Sequence, residues 1–192
     1  MKKKIILITF VSTLFISAVL TGCGIDETKM QEIARVEAEK VMAAHNQSYT
    51  PEKFNFGVFW EDEFSFAQAN KVGNMIFLAG QLPHDTEIDE NGNPIRDFQT
   101  GKNFEEQLRQ TLENMKKVLA NYGATMDDVV FLQHFVDPVA GNNRTGDYNP
   151  VLAKLIKEYF PKGLQGMTCV EVDNLYGPEQ LIESNAIAVI NR

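Results

Sequence analysis

The residue types that most often support nucleophilic or metal chemistry are scarce in this 192-residue sequence, which holds two cysteines and three histidines. A thiol nucleophile needs a neighbouring base and a third group that orients the base. Cys169 could be paired with His84 or His134, but the sequence offers no orienting partner for either pair. The spacing of the histidines, cysteines and acids matches no metal site. The pattern therefore favours neither a cysteine nucleophile nor a metal-dependent activity.

Cys23 differs from these residues because the segment before it predicts a covalent modification. Three lysines begin the chain, residues 5–20 are mostly apolar, and small residues precede the cysteine, which is typical of a secretory signal. The ending Leu-Thr-Gly-Cys resembles a bacterial lipobox. That resemblance implies a signal peptide over residues 1–22 and diacylation of the Cys23 thiol, with acyl chains such as palmitate. A lipoprotein anchored at the extracytoplasmic face of the cell membrane is then expected.

Two regions are predicted after the signal. Residues 23–53 would carry the lipidated cysteine and a tether that is partly helical, because a thin apolar stripe from Met30 to Met42 runs among many charged residues. Residues 54–192 would form one domain, whose length suits a single core. A spacer role for the tether and docking on a partner helix both remain open.

The elements of the domain follow from its hydrophobic periodicity. Alternating or continuous apolar residues predict strands near residues 54–60, 64–67, 74–80, 129–136, 168–172 and 182–190. Apolar residues three or four apart predict helices over residues 104–122 and 148–160. The resulting order, β-β-β-α-β-α-β-β, indicates an α+β or α/β sandwich with the helices on one face of the sheet.

Four segments in this order resemble the RidA/YjgF family. They are residues 72–83 (VGNMIFLAGQLP), 107–115, 124–130 (ATMDDVV), and the pair 168–172 and 186–190 (TCVEV and AIAVI). The resemblance implies an α+β, chorismate-mutase-like fold with a mixed six-stranded sheet and two helices packed on one face. It also implies a homotrimer with clefts between subunits. Well-studied family members hydrolyse enamines and imines to 2-oxo acids and ammonia without a metal or organic cofactor, so no cofactor is expected.

The resemblance also implies which residues line the ligand cleft. They are Phe66, Ala79, Gly80, Gln81, Met167, Cys169 and Asn185. Cys169 can equally be read as a small buried residue of a strand.

Several of these positions depart from the family pattern. Met167 stands where the family has the arginine that would hold a substrate carboxylate, and Asn185 stands where it has a glutamate. Phe66 replaces a tyrosine, and Ala79 replaces a serine. Without the charge-assisted hydrogen bond of the arginine, worth about 1.5–3 kcal/mol, the cleft is expected to be more apolar and less cationic.

The catalytic residue is therefore unknown from the sequence. Asn185 can still hold a water, and Glu183, on the same strand face, could replace the missing carboxylate or could be a solvated or interface residue. His84 could be an acid or base at a strand exit or a surface turn residue, and His134 is expected at an interface or in the core.

Two functions remain open for the domain. One is the binding of a small, less anionic metabolite in clefts between subunits, and the other is a divergent, metal-free deaminase of enamine or 2-imino acids. Nucleic acid is not an expected partner, because the 26 acidic residues outnumber the 18 lysines and arginines and the net charge is −8. Ribonuclease activity is disfavoured for the same reason.

Overall fold

A computed structural model describes residues 27–45, 50–100, 102–140 and 146–191. The predicted signal peptide and Cys23 lie outside these ranges. Within them, no helix is both long enough and apolar enough to cross a membrane. The chain divides into two units between Tyr49 and Thr50, a few residues before the predicted boundary at residue 54.

The first unit contains one helix, α1, over Glu27–His45. Its described side chains are mostly exposed, and several of its charges form ion pairs one turn apart. The Arg35 guanidinium lies 2.7 Å from Glu32 and 2.8 Å from Glu39, and Lys40 lies 2.8 Å from Glu37. Pairs at this spacing stabilise an exposed helix by about 0.2–0.5 kcal/mol each. The helical part of the predicted tether is thus held mainly by local interactions.

The second unit is an α+β fold with a mixed six-stranded sheet, as the sequence predicts. Its elements are β1 (Glu52–Phe54), α2 (Phe59–Glu63), β2 (Ala69–Val72), β3 (Met75–Gln81), α3 (Phe104–Asn121), β4 (Val129–Val136), α4 (Asn149–Tyr159), β5 (Met167–Glu171) and β6 (Ile182–Val189), with a 3-10 turn at Met126–Asp128. The strand order is β1-β2-β3-β6-β4-β5. All neighbouring strands are antiparallel except β4 and β5, which are parallel and are joined through α4.

Helix α3 forms the centre of the core. It begins with a capping box, in which the Asn103 side chain accepts the Glu106 N–H at 3.0 Å and the Glu106 carboxylate accepts the Asn103 N–H at 3.0 Å. The helix buries an apolar stripe of Leu108, Leu112, Met115 and Leu119. It packs on β3 and β6, and α4 packs beside it. Burying each such side chain contributes about 1.5–3 kcal/mol.

No described helix of the second unit packs on the opposite side of the sheet. On β6, Ser184 and Ala186 are buried under the helices, whereas Glu183, Asn185 and Ile187 alternate with them and face the other way. We call this second side the open face. Ile187 lies there between Phe77 of β3 and Phe131 of β4, so the face carries an apolar row across three strands.

The predictions of strands over residues 54–60 and 64–67 were wrong. Strand β1 ends at Phe54, and Phe59–Glu63 is a short helix. The cause is Glu61, a residue that is only 2% exposed and whose carboxylate accepts the backbone N–H groups of Phe56 at 3.0 Å and Gly57 at 2.8 Å. Gly57 turns the chain with a φ of +89°. This clamp folds the segment back on itself and removes the extended geometry that a strand needs.

A bulge interrupts the pairing of β3 with β6. Leu78 is opposite Ala186, whereas Gln81 is opposite Ser184, so Ala79 and Gly80 together face the single residue Asn185. Bulges of this kind bend a strand and re-aim its side chains, and they are common beside functional sites.

Candidate functional site

An aromatic pocket of about 470 Å³ opens beside the bulge of β3. We define it by its lining residues, which come from α2 and the turn after it, the bulge, the segment before β6, and β6 itself. The aromatic members are Phe59, Trp60, Phe64, Phe66 and Tyr176, and the others are Ala79, Gly80, Leu82, Gln99, Gly177, Pro178 and Glu183. Glu183 is the only member that carries an acidic or basic side chain.

The aromatic side chains are held by the turn that follows α2. Ser65 adopts a φ of +53°, and the Phe66 N–H donates to the Glu61 carbonyl at 3.1 Å, so the chain reverses directly after the helix. The reversal brings Phe64 and Phe66 to the pocket together with Trp60. Phe64 packs edge-to-face on Tyr176 with a centroid separation of 5.9 Å. Such pairs contribute about 0.5–1.5 kcal/mol beyond the area they bury.

Gly80 allows the carboxylate of Glu183 to lie against the bulge. A Cβ atom at position 80 would fall 1.8 Å from Glu183 Oε1, so any side chain there would displace the carboxylate. The Gln180 side-chain amide donates a long hydrogen bond of 3.5 Å to the other carboxylate oxygen. Burial in these surroundings raises the pKa of Glu183 above its ordinary value.

Two of the described arginines are paired with acids outside the pocket lining. Arg96 donates two hydrogen bonds to Asp85 at 2.6 and 3.2 Å, and Arg109 donates to Glu158 at 2.5 and 3.1 Å. Within the described parts of the chain, no lysine or arginine lines the pocket. A ligand carboxylate would therefore meet a carboxylate there instead of a guanidinium.

His84 lies behind the pocket and is buried, with 5% of its surface exposed, so it is not a surface turn residue. Its Nδ1 atom is 2.7 Å from the Asp85 carbonyl oxygen, which can only accept, so we assign the proton to Nδ1. Burial lowers the pKa of His84. Its Nε2 atom and the Trp60 Nε1 atom are buried without a hydrogen-bond partner among the described residues. Both residues line a neighbouring hollow of about 310 Å³.

The predicted cleft residues occupy three places in the chain. Phe66, Ala79 and Gly80 line the aromatic pocket together with the candidate Glu183. Gln81 is buried beneath it, where its amide nitrogen donates to Gln68 Oε1 at 3.0 Å and to the Ala79 carbonyl at 3.1 Å.

The other three predicted residues, Asn185, Met167 and Cys169, do not line this pocket, and they do not all lie on the same side of the sheet. Asn185 faces the bulge from the open face, whereas Met167 and Cys169 lie on β5 opposite Leu132 and His134, on the side of the helices. Cys169 packs against the core. A single cleft that holds all seven predicted residues is thus not formed within one chain.

His134 lies in the core layer and not on a surface. It is fully buried, and its Nδ1 atom is 2.6 Å from Ser184 Oγ on the neighbouring strand. Burial lowers the pKa of His134 to about 4.

Sequence reasoning missed Phe59, Trp60, Phe64 and Tyr176 as pocket residues. The density of aromatic residues between Phe54 and Phe66 is visible in the sequence, but the strand prediction would have spread their side chains over two faces. Tyr176, which is 75% exposed, gives no periodic signal because it lies in a loop.

Another hollow, of about 500 Å³, lies between α3, the 3-10 turn and α4. Its charged residues are already paired, since Lys116 binds Glu113 at 3.0 Å and Asp127 binds Lys162 at 2.6 Å. Across the ranges that the structure describes, no three His, Cys, Asp or Glu side chains are grouped so that they could hold a metal ion. The aromatic pocket is therefore the candidate site.

Comparison with known proteins places these features in a family. The profile described as Endoribonuclease L-PSP matches residues 61–190. A RutC family protein of Pyrococcus abyssi is 34% identical over 123 residues, which is 64% of this chain and 84% of the relative. The 3-aminoacrylate deaminase RutC of Acinetobacter baylyi is 31% identical, over 64% of this chain and 85% of that protein. A protein of Dermatophagoides farinae named 2-iminobutanoate/2-iminopropanoate deaminase is 30% identical, over 65% and 85%.

Solved structures agree with the fold. A YjgF-family protein of Mycobacterium tuberculosis superposes with a TM-score of 0.57 at 20% identity, over 73% of this chain and all of that chain. A Thermotoga maritima protein superposes with a TM-score of 0.52 at 30% identity, over 66% of this chain and 87% of its own. The first of these likenesses concerns the fold alone.

Proposed function

Since the chain belongs to the RidA/YjgF family, described also as Endoribonuclease L-PSP, we propose that it binds a small, largely apolar metabolite without a carboxylate in the aromatic pocket. The observation that carries this proposal is the composition of the lining, which holds five aromatic side chains and one carboxylate. Apolar ligand surface gains about 25 cal/mol per Å² when it leaves water. An anionic ligand would be repelled by Glu183 and would find no cation among the described lining residues.

The test uses Trp60, because it lines the pocket and is the single tryptophan of the chain. Its fluorescence should change saturably when neutral aromatic molecules are titrated into the protein, and it should not respond to matched carboxylates. Phe64→Ala, which removes a wall of the pocket, should weaken binding about tenfold or more. The control is Ile95→Ala, which also truncates an exposed apolar side chain but does not line the pocket. Equal binding by Phe64→Ala would refute the proposal.

A deaminase activity is the second candidate, and Glu183 is the observation that favours it. A carboxyl group with a raised pKa in a pocket can act as a general base, and here it would activate water for attack on a C=N carbon. Addition of water and loss of ammonia would then give the carbonyl product. The names of the A. baylyi and D. farinae relatives are consistent with this chemistry.

The assay generates 2-aminoacrylate with a serine dehydratase and traps the remaining imine with semicarbazide. Faster loss of imine with the protein than in buffer, abolished by Glu183→Gln, would support the deaminase. A folded protein without acceleration, beside an active family control, would leave binding as the function.

We also propose that Cys23 is lipidated and holds the protein at the extracytoplasmic face of the cell membrane. The basic, apolar and small-residue segments before Cys23 support this proposal. Cells fed labelled palmitate should label the natural protein in the membrane fraction, and Cys23→Ala should lose both label and membrane location. Cys169→Ala, which changes the other cysteine, should behave as the natural protein does.

We further propose that the chain forms a homotrimer through the open face. The apolar row of Phe77, Ile187 and Phe131 supports this, because a contiguous exposed apolar patch on a folded protein is typical of an interface.

A further inference from the structure

The aromatic pocket has an unbalanced charge. Glu183 is its one ionisable carboxylate, and the ion pairs among the described residues do not include it. Among the described residues, its carboxylate accepts one hydrogen bond, from Gln180 at 3.5 Å, which is long for a charged acceptor. A half-buried carboxylate without a cation is partly desolvated, which costs free energy, so a positively charged group that enters the pocket would be stabilised there.

The walls around Glu183 suit a cation as well. Phe59 and Trp60 meet at 5.1 Å with their rings 80° apart, and Phe64 and Tyr176 meet at 5.9 Å with their rings 83° apart. Rings at right angles form the walls of a corner, which is the arrangement of the aromatic cages that bind alkylammonium groups. The same rings accept apolar surface, so one ligand can satisfy both features.

We propose that the ligand of the aromatic pocket is an organic amine, with its ammonium group at Glu183 and its apolar body against the aromatic walls. This inference rests on the proposed binding function and adds the chemical class of the ligand. Gly80 is essential to it, because the absence of a Cβ atom lets the carboxylate reach its position. The net charge of −8 also favours the approach of cations over anions.

Three probes that share a phenyl ring and a two-carbon chain test the proposal. They are 2-phenylethylamine, 2-phenylethanol and 3-phenylpropanoate, titrated against the full 192-residue chain at neutral pH with Trp60 fluorescence as the readout. We expect the amine to bind at least tenfold more tightly than the alcohol, and the carboxylate to bind more weakly than both.

Two variants identify the group responsible. Glu183→Gln keeps the shape of the side chain and removes its charge, so the amine should lose its advantage while the alcohol binds as before. Glu63→Gln, at the end of α2, removes one negative charge outside the pocket lining and should leave the advantage intact. Equal loss in both variants would attribute the preference to overall charge and would overturn the inference.

A measurement on the unaltered chain guards against a variant that fails to fold. The affinity for the amine should fall as the pH is lowered through the pKa of Glu183, because protonation removes the carboxylate charge. Tyr176 in the lining, and His84 and Glu61 behind Trp60, are the other titratable groups nearby, and a change in their charge also acts on the amine more than on the alcohol. The ratio of the two affinities therefore reports the charge at the pocket, and a ratio that stays constant as the pH is lowered would overturn the inference.

The outcomes separate the two proposals. Equal affinities for amine and alcohol would overturn the amine assignment and leave the binding function standing. Absence of binding by all three probes would overturn the binding function and the amine assignment together.

Discussion

At the scale of single residues, the site depends on a position that has no side chain. The Glu183 carboxylate fills the space that a side chain at position 80 would need, since a Cβ atom there would lie 1.8 Å from the carboxylate oxygen. The contact is with the end of a flexible side chain and not with backbone. A substitution at Gly80 therefore acts on the placement of Glu183 before it acts on the fold.

Gly80→Ala is expected to abolish the preference for amines while the free energy of unfolding falls by only about 1 kcal/mol or less. The added methyl group would push the carboxylate out of the pocket, and the backbone could stay in place. Trp60 fluorescence titration and urea unfolding measure the two effects separately. Gly166→Ala is the matched control, because its Cβ atom would meet its nearest neighbour at an ordinary 3.4 Å. Retained amine preference in Gly80→Ala would contradict the role given to this glycine.

His134 makes the stability of the domain depend on pH. Its pKa is about 4 in the folded state, because burial disfavours the charged imidazole, and it is near 6.5 in the unfolded chain. The unfolded state therefore binds the proton more readily. The stability linked to His134 is present above pH 6.5 and is lost as the pH falls from 6.5 towards 4. The loss amounts to about 3 kcal/mol at most.

The double variant His134→Val with Ser184→Ala removes both partners of the buried hydrogen bond, so neither is left unpaired. Its free energy of unfolding should fall less steeply than that of the natural protein between pH 6.5 and 4. Urea unfolding at a series of pH values gives the comparison. His84, whose pKa is also lowered by burial, is present in both proteins and cancels. Identical slopes would show that His134 does not titrate as proposed.

At the scale of elements, helix α3 supports the site because it packs on β3 and β6, which carry Gly80 and Glu183. Asn103→Ala should lower the free energy of unfolding by about 1 kcal/mol, because it removes the acceptor for the Glu106 N–H. Asn121→Ala, at the other end of the same helix, serves as the control and should change it by less. The urea midpoint measures both. A loss in Asn121→Ala as large as in Asn103→Ala would argue against the capping box.

The sequence predicts most elements because their signals are local. Strand β4 is predicted at its observed bounds, and α3 ends within one residue of the predicted position. The hydrophobic periodicity and the capping residues that identify these elements lie within each segment itself. The strand predictions for residues 54–67 were wrong because the fold of this segment depends on the buried Glu61 carboxylate. In the sequence, Glu61 cannot be distinguished from an ordinary surface acid.

The candidate site is less predictable than the elements. The bulge that presents Ala79 and Gly80 belongs to the pairing of two strands that are distant in sequence, so neither strand reveals it alone. Glu183, whose carboxylate lies against Gly80, was predicted only as one of several alternatives. The sequence does not show whether its side chain faces solvent, an interface or the pocket.

At the scale of the whole molecule, the proposed trimer depends on the open face. If the trimer is built on this face, Ile187→Asp should dissociate it, because the new carboxylate would be buried in the interface between the apolar side chains of Phe77 and Phe131. Sedimentation should give about three times the chain mass for the natural protein and the chain mass for the variant. Ile95→Asp, in an exposed loop position, should remain a trimer. A monomeric natural protein would remove the proposed intersubunit cleft.

The bulge in β3 also shifts the alternation of inward and outward side chains along the strand by one residue. Before it, even-numbered residues such as Ile76 and Leu78 point into the core, and after it the odd-numbered Gln81 does so. Deleting one residue at position 79 or 80 would restore regular pairing, with a single residue opposite Asn185, and would leave Gln81 opposite Ser184 on the core side. The extra residue therefore keeps the strand on both sides of the bulge in phase with β6, and its loss would change the chain beside the pocket without re-phasing the core.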